Sequence, residues 1–164
     1  MELHDITMDD LPLYESLLTD PGTMAELGGP LAREPLAEKL RGIVRDVEER
    51  RIWYFTIVPD DSDERVGTVC VWSHDEDDEP INEIGWMVLP AFRGRGLASG
   101  AVRMVLERAT AKRRWDVIHA FPGVTNGPSN AICRKNGFAM LGERDIVYAG
   151  RTLRCNHWRV DLRR

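Results

Sequence analysis

The stretch Glu83-Ile84-Gly85-Trp86-Met87-Val88-Leu89-Pro90-Ala91-Phe92-Arg93-Gly94-Arg95-Gly96-Leu97-Ala98 constrains this chain more than any other. Its first half is rich in β-branched and aromatic residues, and its middle holds a proline and two glycines. After it, Leu97, Ala101, Met104, Val105 and Ala109 recur at helical spacing to about Lys112. The reading is a strand, a tight turn and a helix start. Glycines in such a turn let the backbone approach a ligand, and successive N–H groups with the positive helix end converge on an anion. A pyrophosphate suits that geometry. Arg93 and Arg95 either add charge at its rim or face solvent. Strand-to-helix corners also use glycine for steric reasons alone, so the ligand needs a second signal. A dinucleotide fingerprint fails because Ser99 takes the last glycine position, and a Walker A loop fails because no Gly-Lys-Ser/Thr is present.

The rest of the chain bounds the class. Its 164 residues, 43% hydrophobic, predict one domain over 1–164 with one core. No apolar run is long enough to span a bilayer, and Met1-Glu2-Leu3-His4-Asp5 does not read as a signal peptide, so a soluble cytoplasmic protein with no membrane partner is expected. A net charge of −5 gives no field for nucleic acid. Three scattered cysteines suggest neither a disulfide framework nor a zinc site, and the four histidines show no metal or triad spacing. No metal is expected.

Thr7 and Asp10 resemble a capping box opening a helix to about Leu18, which Asp20-Pro21-Gly22 ends. A second helix is expected from Pro35 to about Arg50. Strand candidates follow at Ile52 to Val58, Arg65 to Trp72 and Ile81 to Leu89, an antiparallel meander. Its connections, Asp60 to Glu64 and His74 to Glu79, are densely acidic but lack calcium-loop spacing, and read as solvated hairpin tips. Beyond the central helix come a strand from Trp115 to Phe121, a helix from Ser129 to Asn136 stopped by Gly137, and strands near Phe138 to Tyr148 and Leu153 to Leu162. The fold class is mixed α/β with a largely antiparallel sheet flanked by helices.

Arg93-x-x-Gly96-x-Ala98 after a strand resembles the acetyl-coenzyme A signature, R/Q-x-x-G-x-G/A, of the Gcn5-related N-acetyltransferases, the GNAT family. Asn126-x-x-Ser129-x-x-Ile132-Cys133-x-Lys135-x-Gly137-Phe138 resembles the family's second block. The order of elements agrees over nearly the whole chain, and the likeness is greatest to the branch that acetylates ribosomal-protein N-termini. The resemblance implies a single acyl-CoA N-acyltransferase fold whose fourth and fifth strands splay. Acetyl-CoA would lie there as cosubstrate, its pantetheine paired to the backbone of Met87 and Val88. Amides of Arg93, Gly94, Arg95, Gly96, Leu97 and Ala98 would hold the pyrophosphate, and Asn126 the pantetheine arm. Lys135 or Arg134 would meet the adenosine phosphate. A homodimer through the last strands is a further implication.

Cys133 stands where many members carry a tyrosine that protonates the departing thiolate. Ser129, Cys133 or water takes that role, since a thiol with a pKa of about 8.5 leaves readily, or Cys133 simply packs the helix. A lysine-like amine, with pKa about 10.4, needs a base before it attacks a thioester, and Glu83 is the candidate unless it is a solvent-facing charge. An α-amine, with pKa about 8, needs less help. By the resemblance, the N–H of Val88 would stabilise the carbonyl oxygen as charge gathers on it. The expected activity is acetyl transfer from acetyl-CoA to a primary amine, on a small molecule or a peptide N-terminus, by direct attack in a ternary complex. The alternatives are a noncatalytic acyl-CoA-binding module on the same fold and an enzyme for a longer acyl chain. His157, beside Trp158, either lines the acceptor pocket or packs half-buried.

Overall fold

The computed structural model describes residues 1–76 and 79–163. Seven strands form one sheet in the order β1-β2-β3-β4-β5-β7-β6, built from β1 (Glu2–Asp5), β2 (Trp53–Val58), β3 (Gly67–Glu76), β4 (Glu79–Val88), β5 (Val117–Ala120), β6 (Ala139–Tyr148) and β7 (Arg151–Asp161). Helices α1 (Leu11–Thr19), α2 (Pro21–Met24), α3 (Leu36–Glu48), α4 (Leu97–Lys112) and α5 (Gly127–Lys135) complete the architecture. Every strand pairing is antiparallel except that of β4 with β5. The mixed α/β fold read from the sequence is therefore the one observed.

Side chains alternate across the sheet as the two-residue period of a strand requires. Val69, Val71, Ile84, Val88, Ile118 and Ala120 turn toward α4, where Ala101, Val102, Val105 and Ala109 are fully buried against them. Tyr54 and Met87 turn the other way, onto a second cluster built on Met24, Leu36 and Leu40 from α2 and α3. Removing one such leucine to the Cβ costs about 2–5 kcal/mol.

Several element ends differ from the sequence reading. The Asp10 carboxylate accepts the Thr7 N–H at 2.8 Å, so the box is present, but it closes a 3-10 turn over Met8–Asp10 and the α-helix starts at Leu11. Pro21 does not end the helical region. Asp20 accepts the N–H of Thr23 at 2.6 Å and caps a second short helix whose first residue is that proline, a position where its missing N–H costs nothing. The four-residue edge strand β1 has no signal in its own residues beyond the order of elements implied by the resemblance.

The largest difference is in the meander's second hairpin. His74 is not at a solvated tip, because the β3–β4 ladder continues through Ser73↔Asn82, His74↔Ile81 and Asp75↔Pro80 to Glu76↔Glu79. An acidic strand end is tolerated here because Arg144 of β6 reaches the Glu76 carboxylate at 3.3 Å. Asp77 and Asp78, also assigned to that tip, lie outside the described residues.

Candidate active site

The β4–β5 register contains one pair, Glu83 opposite His119. β4 runs on for five residues to Val88 while β5 ends at Ala120, so the two strands part immediately beyond Glu83. At the far end of β4, the turn after Pro90 puts Gly94 and Gly96 at φ of +75° and +76°, the left-handed region that side chains with a Cβ rarely adopt. No atom lies within 4 Å of where a Cβ would stand on either glycine. Conformation, not crowding, requires glycine here. Gly96 is the N-cap of α4 and offers no side chain to satisfy the helix's first amides. Among the described residues, no acceptor meets the N–H of Gly94, Arg95 or Gly96. An anion seated there would meet open amides at the positive end of a 16-residue helix.

Both turn arginines already have partners. Arg93 donates to the carbonyl of Val88 at 3.3 Å and to the hydroxyl of Thr23 at 2.9 Å, tying the turn to α2. Arg95 makes a two-pronged contact with Asp61, at 2.6 and 2.8 Å, and lies over the Phe92 ring. The Arg95–Asp61 pair is exposed, and such pairs hold side chains weakly in water.

The second motif makes up α5 and the residue that caps it. The Asn126 side-chain oxygen accepts the N–H of Ser129 at 3.1 Å and caps α5, which commits that oxygen and leaves the amide NH2 group. Ser129 is partly exposed and Lys135 is exposed in the last turn of α5. Cys133 is fully buried in the core cluster, and burial pushes its thiol up to about 12. A packing residue accounts for both observations, and Ser129 is the candidate acid that reaches solvent.

Asn130, which no motif singled out, anchors this segment. Its amide donates to the carbonyls of Gly123 and Asn126 at 2.9 and 2.8 Å, and its oxygen accepts from Asn156 Nδ2 and Trp158 Nε1 at 2.8 and 2.9 Å. A buried amide with every lone pair and hydrogen used rigidifies the segments it joins, here the β5–α5 loop and β7.

Glu83 is no edge charge, since β4 is the central strand of seven and the side chain retains 17% exposure. Loss of hydration on burial is the largest influence on it and raises its pKa from 4.5 to about 7, against the pull of His74, whose Nε2 lies 2.7 Å from Glu83 Oε2. Trp72 stacks beside His74 at 6.2 Å. Across the strand gap, His119 Nδ1 and His157 Nε2 are 2.7 Å apart, and both rings stack on Phe121. Sequence reasoning missed His74 and His119 as neighbours of the candidate base. The antiparallel register would have found His74, because Trp72↔Glu83 places residue 74 diagonally on the same face.

Burial, with His119 and the cations of Arg144 and Arg159 adding to it, lowers the His157 pKa from 6.5 to about 4. The unfolded chain takes up this proton near pH 6.5 and the native state only near 4. Stability is therefore expected to fall as pH drops through that window. Urea melts between about pH 7 and 4 should show a shallower decline for His157→Phe, which keeps a flat ring on Phe121 but cannot be protonated.

A family model described as the acetyltransferase (GNAT) domain matches residues 1–139. No curated protein matches the chain. Among solved structures, the ribosomal-protein-S5-alanine acetyltransferase from Vibrio fischeri is similar with a TM-score of 0.79 at 15% identity, over 98% of this chain and 92% of that one. The ribosomal L7/L12 α-N-protein acetyltransferase RimL in complex with coenzyme A gives 0.79 at 16% identity, over 97% and 92%. A chimera of spermidine N-acetyltransferase SpeG from Vibrio cholerae with hSSAT gives 0.77 at 17% identity, over 98% and 95%. At these identities the structural likeness speaks for the fold, while the family model spans most of the chain together with the open amide turn. The chain thus belongs to the GNAT acetyltransferases and is an acyltransferase.

Proposed function

We infer that this chain transfers the acetyl group of acetyl-CoA to a primary amine by direct attack within a ternary complex. The observation that carries the reading is a largely enclosed carboxyl, Glu83, at the point where β4 leaves β5, whose pKa burial raises toward neutral pH. Names of the similar structures, a ribosomal-protein N-terminal acetyltransferase and a spermidine acetyltransferase, favour a peptide N-terminus or a small amine as acceptor.

Acetyl-CoA would supply the thioester when bound, and the residues present fit it. Turn amides from Arg93 to Ala98 receive the pyrophosphate, with Arg93 and Arg95 exchanging their present partners for phosphate oxygens. Backbone groups of Met87 and Val88 line the gap left by the missing β5 partner, and the NH2 group of Asn126 faces the pantetheine arm. Lys135 takes the adenosine phosphate. Glu83 accepts the proton that the amine must lose to become a nucleophile, and the N–H of Val88 steadies the carbonyl oxygen. Ser129, or water, returns a proton to the thiolate.

The test is a thiol-release screen with acetyl-CoA against small amines and peptides with free N-termini. One acceptor class is expected to release thiol in proportion to product. Tight coenzyme A binding with no release across the whole panel would overturn the reading.

A further inference from the structure

The contact between Glu83 and His74 joins groups from adjacent strands, and its geometry fixes where hydrogens can be. His74 Nδ1 lies 3.1 Å from the carbonyl oxygen of Asp75, which can only accept, so Nδ1 carries a hydrogen. In the neutral ring, Nε2 is then an acceptor. It stands 2.7 Å from Glu83 Oε2, a distance for which a proton must lie between them. The pair therefore shares one proton, held either by the carboxyl or by the imidazole. His74 is also the better hydrated member, 29% exposed against 17% for Glu83.

We propose that His74 is a positioning residue that shares the proton Glu83 takes from the acceptor amine and returns it to solvent. This rests on the acetyl-transfer reading of the site. In the step, the amine N–H bond breaks with its electron pair left on nitrogen, and an O–H bond forms on Glu83. The proton already shared stands on Nε2 when Glu83 acts as base; it leaves the partly exposed ring to water, and the new proton takes its place between Oε2 and Nε2, so the pair again holds one proton. No other reactant is required.

The surroundings suit a lone dyad. Cys70 from β3 and Cys155 from β7 lie near Glu83, and burial raises both thiols, which keeps them neutral. Glu76 of β3 is neutralised by Arg144 of β6. His119 of β5 and His157 of β7 are both shifted downward, by burial first and then by surrounding cations and imidazoles. His74 is thus the neighbour whose hydrogen bond and charge both favour the ionised carboxylate.

The experiment follows the carboxyl 13C resonance of Glu83 in full-length protein labelled at glutamate, assigned by its loss in Glu83→Gln, beside the pH profile of kcat/KM. Wild type is expected to titrate near 7. In His74→Phe the midpoint should rise by about 1–3 units, because an opposing charge is removed and burial remains. The rising limb of kcat/KM should move with it, and His74→Gln, which retains a donor, should shift less. A midpoint unmoved in His74→Phe would overturn the proposal, as would a moved midpoint with an unmoved rate limb. If the midpoint moves but wild type turns over no amine, the shared proton stands and the acetyl-transfer reading fails.

Discussion

Replacing Gly96 with valine is expected to weaken coenzyme A binding about a hundredfold while leaving most of the fold intact. A β-branched residue at a φ of +76° carries about 1–3 kcal/mol of backbone strain, which the turn relieves by rotating away from its present path. Rotation misaims the neighbouring amides. Each hydrogen bond to a charged phosphate contributes about 1.5–3 kcal/mol, so losing one or two corresponds to the stated factor. Titration calorimetry with coenzyme A reads the affinity, and a thermal melt separates it from unfolding, since the strain alone should lower Tm by about 2–12 °C. Unchanged affinity would mean that the turn amides do not hold the ligand.

Glu83→Gln is expected to reduce kcat by about a hundred to ten-thousandfold with a lysine-like acceptor, the usual contribution of a positioned base. The loss should be smaller with an α-amine, a sizeable fraction of which is already neutral at pH 7. Glutamine keeps the shape and the hydrogen bond toward His74 but cannot take a proton, so coenzyme A affinity should not change. Steady-state kinetics with both acceptor types make the comparison. Equal and small losses for both would remove Glu83 from the chemistry.

The part of this site that the sequence made legible is the part built from neighbours in the chain. The turn from Pro90 to Ala98 and the helix after it are local, so spacing alone located the open amides. The second block was read through its resemblance to the family, and its helix starts at Gly127, capped by Asn126, two residues before the expected Ser129. Hidden features depend on contacts between distant segments. His74 sits in an acidic run that resembles a loop, and the Glu76–Arg144 contact, spanning from β3 to β6, together with His74–Glu83 between β3 and β4, holds the strand through it. His119 and His157 meet because β5 and β7 pair across an intervening helix and strand. Asp20-Pro21-Gly22 failed for a different reason, since the same three residues can stop one helix or start another, and the side chain of Asp20 decides between them.

Arg93 spans the hydroxyl of Thr23 and the carbonyl of Val88. One guanidinium is thereby a crossbar between the short helix α2 and the end of β4 before the glycine turn. A phosphate that claims this guanidinium must compete with Thr23 for it, and the hydroxyl then retains only Asp20, whose carboxylate already accepts from it at 2.7 Å. A phosphate at the turn would in this way slacken the tether to α2, coupling that short helix to the turn through a single side chain.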